Sequence, residues 1–318
     1  MPRTALGRLA GTELAGLSRG IGDVHFAISG RVFRTVGPAA LPVRALHDAI
    51  ARGTYAAVAG GLRSAALLPL NARPEVLGAL NGLIGDELHA SGSPLAIEMT
   101  AARISEPRLP AVLVWVHGLG ETEHAWGHPH LPGWTSVHVR YNTGRSIAEN
   151  GAELARLIEA LDWDIERVAL VGHSMGGLVA RSACACDAPW TARVSHTISL
   201  GTPHDGAPLA QLVHHLESVL RSAPETRPFA QFLGRRSAGI RDLRRGVRDP
   251  LLTTARHGFI SATVTRDARH LAGRVLGDTL VLSASASGEG DLFALGGTHH
   301  LALLNHPKVY EQLEAWLA

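Results

Sequence analysis

At 318 residues and 46% apolar composition, the chain is long enough to bury one large α/β core and still carry an appendage. A formal net charge of +2 argues against an extended nucleic-acid surface, and with Lys308 as the visible exception the basic residues are arginine, a coding bias rather than a functional signal. No run reaches the ~18 to 20 uncharged apolar residues of a membrane-spanning helix.

The first ten residues are interrupted by charge where a signal peptide would hold an apolar run, which points to a soluble cytoplasmic protein. Residues 1 to 105 have helical composition in segments such as Val43 to Ile50 and Tyr55 to Ala59, punctuated by Gly53, Gly60 and Gly61. They are predicted to form a helical N-terminal extension that packs on the following domain or on another subunit, a homo-oligomer in the second case. No strongly basic amphipathic face accompanies the apolar positions, so packing is favoured over membrane-surface association.

From residue 106 to 318 the pattern changes. Val112 to Val116 reads as a buried strand running into His117-Gly118-Leu119-Gly120. The segment from Glu121 to His130 is rich in Glu and His, but its spacing matches no hydrolytic zinc signature; it is expected at the mouth of a pocket, with no metal and no cofactor. Val137 to Tyr141 is a strand, Ile147 to Leu161 a helix and Arg167 to Val171 a strand. Then come Gly172-His173-Ser174-Met175-Gly176-Gly177, a helix from Leu178, and a strand from Val194 to Leu200. Cys184 and Cys186, the only cysteines, lie two apart on that helix and point away from each other, so neither a mutual disulfide nor a metal clamp is expected. Alternating strands and helices predict a mostly parallel sheet covered on both faces.

After Gly201 to His204 the alternation stops until about Gly258. Within this insertion, about 203–258, Leu209, Leu212, Val213, Leu216, Val219 and Leu220 recur at helical spacing, an apolar stripe expected to bury itself against the sheet or to line a site. The insertion's arginines between Arg235 and Arg248 read as a solvated face. Strands resume at Phe259 to Val264 and Asp291 to Gly296, the last followed by Thr298, His299 and His300, and between them Gly277-Asp278 sits ahead of the run Thr279 to Leu282.

A β-branched strand, a Gly-x-Ser-x-Gly turn and a helix together make a nucleophile elbow, which presents Ser174 as the candidate nucleophile. Serine needs a base, an acid to orient that base, and donors for the developing oxyanion. His300, in the loop after the last strand, is the base and its neighbour His299 is rejected. Asp278 supplies the Ser…Asp…His chain order, with Asp267 a competitor by position. His117-Gly118-Leu119-Gly120 is where such folds place the oxyanion donors, here the N–H groups of Leu119 and of Met175, while His117 fixes the loop.

The runs from Val171 to Arg181 and from Ser199 to Ala207 resemble the lipase and esterase branch of the α/β-hydrolase superfamily. The likeness is closest to bacterial lipase-like proteins that also carry the runs 117–123, 140–144 and 300–307, and it covers residues 110 to 318. It implies an α/β-hydrolase fold in which the insertion, about 203–258, is a helical cap whose apolar stripe either packs on the sheet or holds an acyl chain, and a cofactor-independent serine hydrolase of carboxylic esters, acting on a small-molecule or lipid ester. In that resemblance Ser174 is the nucleophile, His300 the base, Asp278 the acid, preferred because Gly277-Asp278 precedes Leu280-Val281 as in these relatives, and Leu119 and Met175 the oxyanion donors. Thioesterases, amidases and acyltransferases use the same parts, and a non-catalytic binding protein on the same fold is the contrasting class.

Overall fold

The computed structural model describes residues 41–65, 74–127, 130–206, 237–263 and 290–318, with isolated positions between 23 and 37. In chain order its elements are α1 (Leu41–Ala65), α2 (Pro74–Ala90), β1 (Thr100–Ile104), β2 (Ala111–Val116), β3 (Thr135–Arg140), α3 (Ile147–Glu159), β4 (Arg167–His173), α4 (Met175–Cys184), β5 (Val194–Leu200), α5 (Ala238–Arg245), β6 (Arg256–Thr263), β7 (Asp291–Gly296) and α6 (Pro307–Leu317). Elements α2 to α6 belong to one compact unit and α1 to another. Within α1, Arg44 and Asp48 form an i,i+4 ion pair. No helix among the described residues is long and apolar enough to cross a membrane.

The seven strands lie in the order β1-β3-β2-β4-β5-β6-β7, all parallel except β1, which runs antiparallel to β3. Because β-strand side chains alternate, each central strand feeds both faces of the sheet. Val112, Val114 and Val116 of β2 join Val168 and Leu170 of β4 in one core with Leu154 and Ile158 of α3 and Leu178 and Val179 of α4. Leu113, Trp115, Ala169 and Val171 enter the opposite core with Val309, Leu313 and Leu317 of α6. Helix α3 begins at a capping box, the Ser146 side chain accepting from the Glu149 N–H while the Glu149 carboxylate returns to the Ser146 N–H.

The strand order explains where chemistry can sit. After β2 the chain places β3 on one side of it and β4 on the other, so the connections leave the carboxyl ends of β2 and β4 in opposite directions and open a crevice between them. Val116 pairs with Gly172, which brings His117 to Gly120 alongside the Ser174 turn.

Two boundaries differ from the sequence reading. The division expected at 105/106 falls after a strand of the sheet: β1 pairs with β3, and α2 belongs to the same unit. Composition pointed the other way because α2 is apolar and glycine-bearing, as a separate helical module would be. Gly78, Gly82 and Gly85 form the face on which it meets the loops after β2 and β3; a Cβ on Gly78 would lie 2.8 Å from the carbonyl oxygens of Gly120 and Glu121. The C-terminal part of the insertion packs on the sheet unit, with Leu243 of α5 in the core, Ser237 Oγ donating to the Gly82 carbonyl at 2.6 Å and the Ile147 N–H donating to Asp242 at 3.0 Å. The stripe from Leu209 to Leu220 lies outside the described residues, as does the run Thr279 to Leu282.

Candidate active site

At the carboxyl end of β4 the backbone turns within one residue. Ser174 has φ 51° and ψ −121°, and among the described residues it alone combines a side chain with positive φ. Such a conformation costs on the order of 1–3 kcal/mol and persists only where the surroundings impose it. Here they do. The Ser174 N–H donates to the Leu200 carbonyl of β5 at 2.8 Å, and the glycines around it are packed against backbone. A Cβ on Gly176 would collide with the backbone of Val116 and His117, and one on Gly172 with Gly177. The small residues of the motif are there to let β4 and α4 close on each other and on β2.

Beside the serine lies the turn after β2. A Cβ on Gly118 would stand 3.2 Å from Ser174 Cβ, so the turn is in contact with Ser174. The Gly118 N–H donates to Glu121 Oε2 at 2.7 Å, and the Gly120 N–H donates to Thr143 Oγ1 at 3.0 Å. Between these two occupied donors, the Leu119 N–H makes no hydrogen bond among the described residues. Met175 opens α4, at a position whose N–H has no intrahelical acceptor.

His117 holds the turn from beneath. Its Nδ1 donates to the Gly118 carbonyl at 3.0 Å, its own carbonyl accepts from Tyr141 Oη at 2.7 Å, and the two rings stack at 4.4 Å. Burial pushes its pKa down to about 4, against the pull of the Glu121 and Glu123 charges, so the imidazole is neutral at neutral pH.

His300 begins a short 3₁₀ turn after β7 and is 3% exposed, whereas His299 faces solvent. A Cβ on Gly201, at the end of β5, would lie 3.1 Å from His300 Nδ1 and Cε1, and the ring sits 4.8 Å from that of His173. Ser174, Leu119, Met175 and His300 thus converge on the carboxyl ends of β2, β4 and β5. Asp278 and its competitor Asp267 both lie outside the described residues.

Several residues build this site without having been assigned a role from sequence. In the run from Arg140 to Gly144, Arg140 forks onto the Glu123 carboxylate, Tyr141 holds His117, and Thr143 holds Gly120. Asn142 donates to the Gly85 carbonyl of α2 at 2.9 Å. Asn305 accepts from the Gly127 N–H and donates to the Ala125 carbonyl, tying the His300 turn to the segment after the turn that follows β2. The Glu121 and Glu123 side chains are largely buried, Glu121 on the Gly118 N–H and Glu123 on Arg140. The motifs were visible as resemblance, but a role that consists of holding a loop leaves no periodicity or spacing signal.

Residues 151–245 match the family model described as the PGAP1-like alpha/beta domain. Among solved structures, the Bacillus licheniformis lipase BlEst2 in its mature form is 20% identical, with 68% of this chain and 97% of that one covered and a TM-score of 0.52. Its propeptide form is 21% identical over 67% of this chain and 53% of that one, with a TM-score of 0.53. No curated protein matches the sequence significantly. At these identities the likeness is one of fold.

Proposed function

We propose that this chain, an α/β-hydrolase by fold, is a serine hydrolase that cleaves carboxylic esters through an acyl-enzyme. The observation that carries the reading is Ser174 itself, a non-glycine residue held at φ 51° on the strand-to-helix turn, with a Leu119 N–H in the adjoining loop that makes no hydrogen bond among the described residues. Strain of this kind is retained where a side chain must be presented.

In the proposed cycle, His300 takes the Ser174 hydroxyl proton as the oxygen attacks the acyl carbonyl, and the Leu119 and Met175 N–H groups receive the tetrahedral oxyanion. Asp278 orients the imidazole and stabilises its charged form. Collapse expels the alcohol, which leaves with the proton from His300; water, deprotonated by the same histidine, then attacks the acyl-enzyme and releases the carboxylic acid with Ser174 restored. None of these steps calls for a metal or cofactor. A small-molecule or lipid ester is the proposed substrate.

The test is hydrolysis of p-nitrophenyl esters of increasing chain length, with and without detergent micelles. Turnover by the wild type and its loss in a folded Ser174→Ala variant are expected. Turnover surviving in that variant overturns the proposal, and the chain-length profile reports the acyl preference.

A further inference from the structure

The carboxylate of Glu121 and the imidazole of His173 sit directly behind the nucleophile, and the cycle above uses neither. Glu121 is 15% exposed at its side chain and His173 1%. Glu121 Oε2 accepts the Gly118 N–H at 2.7 Å and lies 3.3 Å from His173 Nδ1. The other ring nitrogen, Nε2, lies 3.3 Å from the main-chain carbonyl oxygen of His300. One side-chain pair therefore reaches the loop that carries the Leu119 donor, the residue preceding Ser174, and the backbone of the general base.

We infer that Glu121 and His173 form a positioning pair that sets the oxyanion loop and the His300 turn in register with Ser174, an inference that rests on the serine-hydrolase reading. Both ring nitrogens of His173 face acceptors, so this histidine is committed to the bracket and is not a second base. Burial pushes the Glu121 carboxyl up, but the interactions with His173 and the Gly118 N–H outweigh it and leave the group below the ordinary carboxylate range, available as an acceptor. The other charged or titratable groups near the pair already have roles of their own. Arg140 holds Glu123, His117 holds Gly118, and His300 faces Gly201. A polar pair buried this close to reacting groups acts through geometry, because displacing reacting groups by about 1 Å costs on the order of 10²-fold in rate.

The experiment compares Glu121→Gln, Glu121→Ala, His173→Asn and the double variant Glu121→Ala/His173→Asn, each shown by circular dichroism and thermal melting to be folded. With p-nitrophenyl acetate, kcat is expected to fall roughly 10- to 100-fold in Glu121→Ala and His173→Asn while KM stays within about twofold. Glu121→Gln, which keeps an acceptor for both partners, is expected to recover most of the loss. The double variant is expected to be no worse than the poorer single, since one bracket is broken in each case. A loss that appears in KM, multiplies in the double variant, or is not rescued by Gln overturns the inference. Amide hydrogen exchange in the Ser174→Ala background reads the bracket without any turnover: protection of the Gly118 N–H is expected to be retained with Glu121→Gln and lost with Glu121→Ala, and equal protection in both overturns it. Failure of the serine-hydrolase reading would show separately, as ester turnover that survives Ser174→Ala.

Discussion

His117 is fully buried, and its protonation is what acid should exploit. The Nδ1–H is spent on the Gly118 carbonyl, while Nε2 is buried with no hydrogen-bond partner among the described residues. A proton added there would create a buried N–H without an acceptor among the described residues and a charge stripped of water, a cost that outweighs the attraction of Glu121 and Glu123 and lowers the pKa from 6.5 to about 4. Unfolded, the same histidine titrates near 6.5 and so binds more protons than the folded state as pH falls below that value. Stability that is whole above pH 6.5 is therefore lost progressively on acidification and is fully gone near pH 4, about 3 kcal/mol in all and about 2 kcal/mol by pH 5. At roughly 2–4 °C per kcal/mol, the pH 5 loss corresponds to ~4–8 °C in Tm. The assay is urea unfolding at pH 7.5 and pH 5.0 of the wild type and of His117→Phe, which keeps a ring against Tyr141 but cannot titrate. His204, whose pKa burial also lowers to about 4, contributes equally to both proteins and cancels. The acid-induced loss should be smaller by about 2 kcal/mol in the variant. Equal losses in the two proteins would refute the argument.

Three further predictions concern loop placement, helix α1 and the acid. Gly82→Ala would set a Cβ 3.0 Å from Gly120 Cα, so it should lower kcat/KM several-fold while unfolding stability changes little, the better helix propensity of alanine offsetting the strain. Gly53→Ala on α1, with nothing within 4 Å of the new Cβ, should instead stabilise by about 0.5–1 kcal/mol in thermal unfolding and leave activity alone. Asp278→Asn should reduce kcat/KM by about 10²- to 10⁴-fold through the lost imidazolium partner, with Asp267→Asn mild; the reverse ranking in steady-state kinetics would move the acid to Asp267.

What was legible in the sequence follows from what leaves a periodic or positional trace. Strands β2 and β4 lie within one or two residues of the expected bounds, because a strand buried on both faces reads as an uninterrupted apolar segment, and the partly exposed β5 and β7 have the very bounds expected. The elbow was legible because glycine spacing encodes a close approach of backbones, which the positions of Gly172 and Gly176 show directly. The partnership of Glu121 with His173 was not, since 52 residues separate them and neither lies on a shared periodic face. Strand β1 was missed for a related reason: it lies at the antiparallel end of the sheet, its five residues half-buried or exposed, and it shows no apolar run. Helix α2 was read as helical but assigned to the wrong body, because the reason for its glycines is a neighbour that only the fold supplies.

The central claim is that Ser174 is an activated nucleophile served by the loop after β2 and by His300. Its most direct test is covalent labelling with a fluorophosphonate probe followed by mass spectrometric mapping of the adduct. The account predicts a single stoichiometric phosphonyl adduct on Ser174, absent from Ser174→Ala and strongly slowed in His300→Ala, with His299→Ala labelled at the wild-type rate. An adduct on another residue, or no adduct on a folded protein that hydrolyses esters, would contradict it.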